Sequence, residues 1–185
     1  MHRVALRTLA YNVMAAGLIL LARASEIPLK ALAGQFMLRD IWEQTLTSGS
    51  ELKPWASADF RVMGELTIPR LGLSQIVLDR ASGEAMSWGI GAISSDSSST
   101  NAIILAGYRD TYMQFMAKLR IGDLVNFQTS DASFQTYKII KSMVIETPQL
   151  NVEDRFEEQI VLTTCWPFNG TQQGPERYVL VGQEV

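Results

Sequence analysis

The sequence predicts a mainly β fold, a closed or nearly closed barrel of short strands. Short runs rich in β-branched and aromatic residues recur at close spacing from Phe60 to the C-terminus. Glycine, proline and small polar clusters separate them, and long helical periodicity is confined to the first third of the chain. With 185 residues, 47% hydrophobic and 19% charged, the chain has room for one domain with a real core and an appendage.

The appendage comes first. Arg3 and Arg7 lie in an acid-free start, and Leu9 to Ala22 (LAYNVMAAGLILLA) carries no charge. Its length suits a signal-type segment or a short membrane anchor. Positive residues ahead of an apolar run favour placing everything after it across the membrane. A buried helix of the domain is the other reading. On the anchor reading, residues 1–27 form a cytoplasmic start and membrane segment, 28–59 a helix and linker, and 60–185 the barrel domain.

After Pro28, which suits a helix start, PLKALAGQFMLRDIWEQTL is helical in pattern. The 3.6 spacing places Leu29, Leu32, Ala33, Phe36, Met37, Asp40 and Ile41 on one face. TSGSELKPWASAD is a loop with Gly49 and Pro54 as breakers. FRVMGELTIPRLGLSQIVLD holds two short strands broken at Pro69 and Gly72, and SGEAMSWGIGAI is a helical turn followed by glycines. SSDSSSTN is a polar loop, and the continuous apolar run AIILAG is a buried central strand. TYMQFMAKL is a short helix or turn. DLVNFQT, ASFQTYKIIKSMVIET, IVLTTC and RYVLVGQEV complete the strands, with NVEDRFEEQ as an acidic connector.

Charge and cysteine count narrow the function. A net charge of -3 and no basic stripe interleaved with aromatics give no case for nucleic acid. One cysteine makes no internal disulfide. No cofactor motif is present: GIG and AGYRD do not open a long helix with a lysine, as a phosphate loop would. EDRFEE lacks the order and glycine of an EF-hand and reads as a solvated acidic turn.

Cys165 is the residue with chemistry to offer. A lone cysteine on an apolar strand is commonly a small buried hydrophobe. This one is the last strand residue before WPF, where the chain leaves the sheet and functional groups concentrate. Arg177 opens the next strand. If the two strands pair, the guanidinium and thiol face one groove, where the arginine stabilises a thiolate or an oxyanion.

These residues carry a resemblance. IVLTTCWPF…GPERYVLV resembles the C-terminal signature of sortases, membrane-anchored cysteine transpeptidases, with its T-L-x-T-C pattern and an arginine on the following strand. ILAGYRDTYMQFMAKLRIGD resembles their A-G-H-R-D-T-H-F block. WEQTLTSGSELKPWASAD, LTIPRLGL and IVLDRASGEAMSWGIGAI are similar to the class found in Gram-negative bacteria. The likeness runs from about Trp42 to Val181.

The resemblance implies a barrel of about eight strands and a thiol that attacks a threonine carbonyl in a C-terminal sorting signal of the L-P-x-T-G kind. A thioacyl enzyme forms, and an acceptor amine resolves it. It implies Cys165 as nucleophile, Arg177 as oxyanion stabiliser, and Thr163, Thr164 and Trp166 as substrate-binding residues. It implies no metal or other cofactor. The partners would be a substrate protein bearing the signal, an acceptor amine and the inner membrane, with the catalytic domain facing the periplasm. The pattern's two histidines are replaced by Tyr108 and Tyr112, and the chain's only histidine, His2, precedes the apolar run. Loss of a general acid costs about 10²–10⁴-fold. Three readings follow: a sortase-type transpeptidase, an impaired relative that binds the signal without efficient turnover, or a membrane-anchored β-domain with a core cysteine.

Overall fold

The structure, a computed structural model, describes Met14, Gly17 and residues 34–93, 102–146, 159–170 and 174–185. The chain divides into two compact units, Met1–Phe36 and Met37–Val185. The apolar run Leu9–Ala22 lies, apart from Met14 and Gly17, outside the described residues, as does the acidic connector up to Glu158. Among the described residues no helix is long and apolar enough to cross a membrane.

The second unit is an eight-stranded closed barrel. Its strands are β1 (Val62–Ile68), β2 (Leu73–Leu78), β3 (Ile90–Ala92), β4 (Ile103–Ala106), β5 (Leu124–Thr129), β6 (Phe134–Glu146), β7 (Gln159–Cys165) and β8 (Glu176–Glu184). Around the barrel they run β1-β2-β3-β4-β7-β8-β6-β5, and β5 pairs back to β1. Two of the pairings are parallel, β2 with β3 and β4 with β7. Pro69 and Gly72 break the first hairpin as the sequence suggests. Pro69 opens a single 3-10 turn, and Gly72 closes it in the left-handed region at φ 58°, where a side chain would strain the backbone.

Strand alternation sorts side chains to two faces. Leu66, Val77, Leu105, Phe127, Leu162 and Leu180 fill the interior. The segment after β4 adds Tyr112, Met113, Phe115 and Met116 to the same core. Tyr137 is also interior; burial, with Glu184 adding, pushes its phenol up to about 12. A register shift between Ile139 and Lys141 changes the face of β6 halfway along. Tyr137 and Ile139 therefore point inward, while Met143 and Ile145 join Ile104, Val161, Val179 and Val181 in an outer cluster.

The helix α1 spans 34–48. Its portion from Met37 covers the outer face of β1 and β2, packing Leu38 and Trp42 against Phe60, Val62, Ile76 and Leu78. This corrects the helical face expected from spacing. Met37 is 42% exposed and Asp40 faces solvent, whereas Leu38, Trp42 and Thr45 are buried. Both stripes satisfy a 3.6 period at this end of the helix, so periodicity does not choose between them. The choice rests on tertiary partners: the Trp42 indole donates to Glu65 at 3.3 Å, and Arg39 donates to Ser74 at 2.9 Å.

One ion pair ties three segments at the barrel end. Arg70 donates to both Asp123 oxygens at 2.6 and 2.7 Å and to the Lys118 carbonyl at 2.5 Å. The Arg120 N–H adds a bond to Asp123 at 2.7 Å. The Arg70 fork holds the Asp123 carboxyl below the ordinary carboxylate value.

Candidate active site

Three strand ends meet at one rim. β4 and β7 run parallel, with Ala106 level with Thr163, so Tyr108 follows β4 at the height where Cys165 ends β7. β8 returns antiparallel, with Cys165 level with Arg177 and Thr163 with Val179. Directly paired residues point to the same face, so Cys165 and Arg177 share the outer face. The Trp166 N–H donates to the Glu176 carbonyl at 3.1 Å and continues this pairing one residue past the strand.

A groove of about 430 Å³ occupies this rim. Cys165, Arg177, Tyr108, Thr163 and Thr164 line it together with Ala81, Met86, Ile93, Ala106 and Gly107. Met86 comes from α2 (Gly83–Trp88), which Ser82 caps by accepting from the Ala85 N–H at 3.0 Å. The approach of Ala81 depends on Gly91: a Cβ there would lie 2.5 Å from the Arg80 carbonyl oxygen and 2.6 Å from Ala81 Cα. Glycine is thus required where β3 passes under the groove wall.

The groups differ in how firmly they are held. The Thr164 hydroxyl donates to the Gly107 carbonyl at 2.7 Å and fastens β7 to the exit of β4. Cys165 is half-buried and unbridged. Arg177 Nη1 donates to the Gly174 and Glu176 carbonyls at 3.0 and 2.9 Å. A guanidinium has five N–H donors, and those on Nε and Nη2 meet no acceptor among the described residues. Tyr108 is 40% exposed, and its hydroxyl makes no hydrogen bond among the described residues. No imidazole is present among them, since His2 lies outside.

Thr163, Thr164 and Cys165 therefore reach the groove with Arg177 and Tyr108, while Trp166 does not line it. The Trp166 ring stacks on Tyr178 at 5.6 Å, and Phe168 meets both rings edge-on at 5.5 and 5.1 Å. This aromatic trio sets the loop after Cys165 on the barrel core. Tyr112, at the second histidine position of the resemblance, is a core residue whose hydroxyl donates to the Ser87 carbonyl at 3.4 Å.

Sequence reasoning missed Arg109. It is 6% exposed, donates to the Gly170 carbonyl and pairs with Asp110 at 3.5 Å. Gly170 packs so closely that a Cβ would lie 3.2 Å from Arg109 Nη1 and 3.1 Å from Pro167. The residue beside Tyr108 thus clasps the loop that follows Cys165. An arginine adjacent to a strand end was the available signal, but its partner is 61 positions away and is a backbone carbonyl. Among the described residues no group of His, Cys, Asp and Glu could hold a metal ion.

The Sortase domain model matches residues 66–185. Sortase D of Bacillus subtilis (strain 168) is 26% identical over 126 residues, 66% of this chain. The chain covers 63% of that relative's length, less than two thirds. Among solved structures, sortase A of Listeria monocytogenes superposes with a TM-score of 0.58 at 20% identity, covering 67% of this chain and 87% of its own. The catalytic domain of B. anthracis SrtD gives 0.55 at 25% identity, with the same coverage of 67% and 87%. Sortase C of Clostridium perfringens SM101 gives 0.56 at 14% identity over 89% and 96% of the two chains, a likeness of fold. With its barrel order and a family match across nearly all of the barrel, the chain belongs to the sortase family.

Proposed function

We propose that the protein is a sortase-type cysteine transpeptidase in which Cys165 is the nucleophile. The observation that carries this reading is the register of Cys165 with Arg177 on adjacent strands, beside a groove that Tyr108 also lines. The Cys165 sulfur, as thiolate, attacks a peptide carbonyl carbon in a sorting signal of the L-P-x-T-G kind. The oxyanion takes hydrogen bonds from the Arg177 Nε and Nη2 donors. Collapse breaks the C–N bond, and the leaving amine needs a proton, for which the Tyr108 hydroxyl is the candidate donor on this rim. The remaining thioester is then attacked by an acceptor amine, which gives up a proton as the new amide forms and the thiol leaves. Similarity of residues 42–59, Leu66–Leu73 and Ile76–Ile93 to the Gram-negative class supports placement there. Arg3 and Arg7 before the uncharged Leu9–Ala22 run support an inner-membrane anchor with the barrel in the periplasm.

Intact-mass analysis with a sorting-signal peptide tests the reading. A thioacyl adduct on Cys165 is expected, lost with Cys165→Ala and discharged by added amine. No adduct, together with a thiol inert to iodoacetamide in the folded protein, overturns it.

A second reading is favoured by Tyr108 itself. A phenol is a weak acid at neutral pH, and no imidazole is present among the described residues. The protein is then a relative that binds the signal and turns it over slowly or not at all. Stoichiometric peptide binding without transfer to an amine identifies that case.

A further inference from the structure

We propose that Thr163 is a specificity-determining contact, and that the groove takes a peptide bearing a hydroxyl or amide side chain opposite it. The proposal rests on the reading of the groove as the peptide site. Thr163 lines that groove, yet it is 4% exposed and its hydroxyl has no hydrogen-bond partner among the described residues. Buried hydroxyls are ordinarily bonded, and one left without a partner carries a desolvation cost. The neighbouring strand residues supply none. In register Thr163 faces Ala106 on one side and Val179 on the other, and the nearby groove wall is Met86, Ile93 and Ala81. Thr164 shows the contrast: its hydroxyl, next in sequence, is satisfied by Gly107. A valine would fill the space of Thr163 with no polar atom to satisfy.

Position explains what the hydroxyl is for. Thr163 and Cys165 are alternate residues of one strand, so they share a face and stand about 6.7 Å apart. An extended peptide whose carbonyl sits at Cys165 brings a group about two residues away past Thr163. A threonine hydroxyl both donates and accepts, and rotation about χ1 exchanges its oxygen with its methyl. It therefore pairs with a hydroxyl or amide side chain, and leaves an aliphatic side chain of the same shape facing an unsatisfied oxygen.

Peptidyl chloromethyl ketones test this directly. The Cys165 sulfur displaces chloride from the methylene carbon, so the rate reports peptide placement without a leaving amine or a general acid. Reagents carry threonine or valine in turn at each of the three positions before the reactive group. Wild type should react roughly tenfold faster with threonine at one position, Thr163→Ser should keep that preference, and Thr163→Val should abolish or invert it. Iodoacetamide should label wild type and Thr163→Val at equal rates, showing an intact fold and thiol. A preference unchanged in Thr163→Val, or none at any position in wild type, overturns the proposal. If iodoacetamide leaves the folded protein unlabelled, the nucleophile reading fails instead. Binding of the unreactive threonine and valine peptides, by fluorescence anisotropy, then decides the proposal on the same criterion.

Discussion

The barrel has two covered outer faces, and they are built differently. Over β1 and β2, α1 lays Leu38 and Trp42 on an apolar sheet, and a network centred on Glu65 ties the seam, with the Thr45 hydroxyl left unbonded among the described residues. Glu65 accepts from Trp42, Ser74 and Arg39, and Arg39 also donates to Ser74. Over β4, β7 and β8 the apolar cluster of Ile104, Val161 and Val179 stops short of the rim, and the polar groups there retain unused capacity. Arg177 has donors to spare, while the Tyr108 and Thr163 hydroxyls are unbonded among the described residues. One face is closed for the most part by the chain's own bonds. The other holds hydrogen-bonding capacity that a second molecule can use, which is how a binding surface differs from a structural seam when both are partly apolar.

The strongest way to break the comparison is through Trp42. It is 2% exposed, and Trp42→Ala should cost about 3–5 kcal/mol, read as a loss in chemical-denaturation free energy. The alkylation rate of Cys165 should stay within twofold while the protein is folded. A large change in that rate would show that the two faces are coupled.

Tyr108→His acts on the open face alone. It should raise peptide cleavage and transfer by roughly 10²-fold, equivalent to about 2.7 kcal/mol, and turn the pH–rate profile into a bell. The thermal midpoint should barely move, since the side chain is 40% exposed and unbonded. The gain should vanish when Cys165→Ala is added. If wild type is already as fast, another group is the acid.

Asp123 sharpens the contrast by pH. Its carboxyl is held below 3.8, first by the Arg70 hydrogen bonds, so its contribution to stability is fully present above the unfolded value. That contribution is lost as pH falls through the lower folded value. Asp123→Asn should lower the melting temperature by roughly 2–4 °C at pH 7. The gap to wild type should close in melting curves taken progressively below pH 4; a constant gap would show that shape, not charge, matters there.

The smallest effect belongs to Ser82, the cap of α2. Ser82→Ala should cost about 1 kcal/mol in denaturation. Because Met86 on that helix lines the groove, it should also slow peptide-directed alkylation about twofold, with iodoacetamide labelling unchanged.

Much of this architecture was legible in the chain. Pro69 and Gly72 mark the first break because one fixes φ and the other accepts a left-handed turn. The sharing of one groove by Cys165 and Arg177 was conditional in the sequence on IVLTTC and RYVLVGQEV pairing as neighbours, and β7 and β8 do pair. Other parts were hidden for physical reasons. β3 has three residues, one of them glycine, so no strand period can register, and it exists through its pairing with β2 and β4. The buried stripe of α1 was ambiguous because two apolar stripes overlap, and Glu65 lies 23 positions from Trp42. Trp166, a substrate-binding residue on the resemblance, stacks on Tyr178 and does not line the groove, because alternation along the strand turns it to the other face. Arg109 acts through a backbone carbonyl, which has no signature in residue types.

The parallel pairing of β4 with β7 has a consequence for how such a site can vary. Parallel neighbours discharge their chains at the same end, and β8 begins where β7 stops. Tyr108 thus stands at the start of one excursion of the chain, after β4, and Cys165 and Arg177 bracket a second, between β7 and β8, both on one edge of a rigid wall. Either excursion can lengthen, shorten or change composition without shifting the other, because strand register and the Thr164–Gly107 bond hold their roots. Recognition and reactivity are then independently adjustable, and a replacement as local as Tyr108→His can alter the chemistry without reshaping the groove.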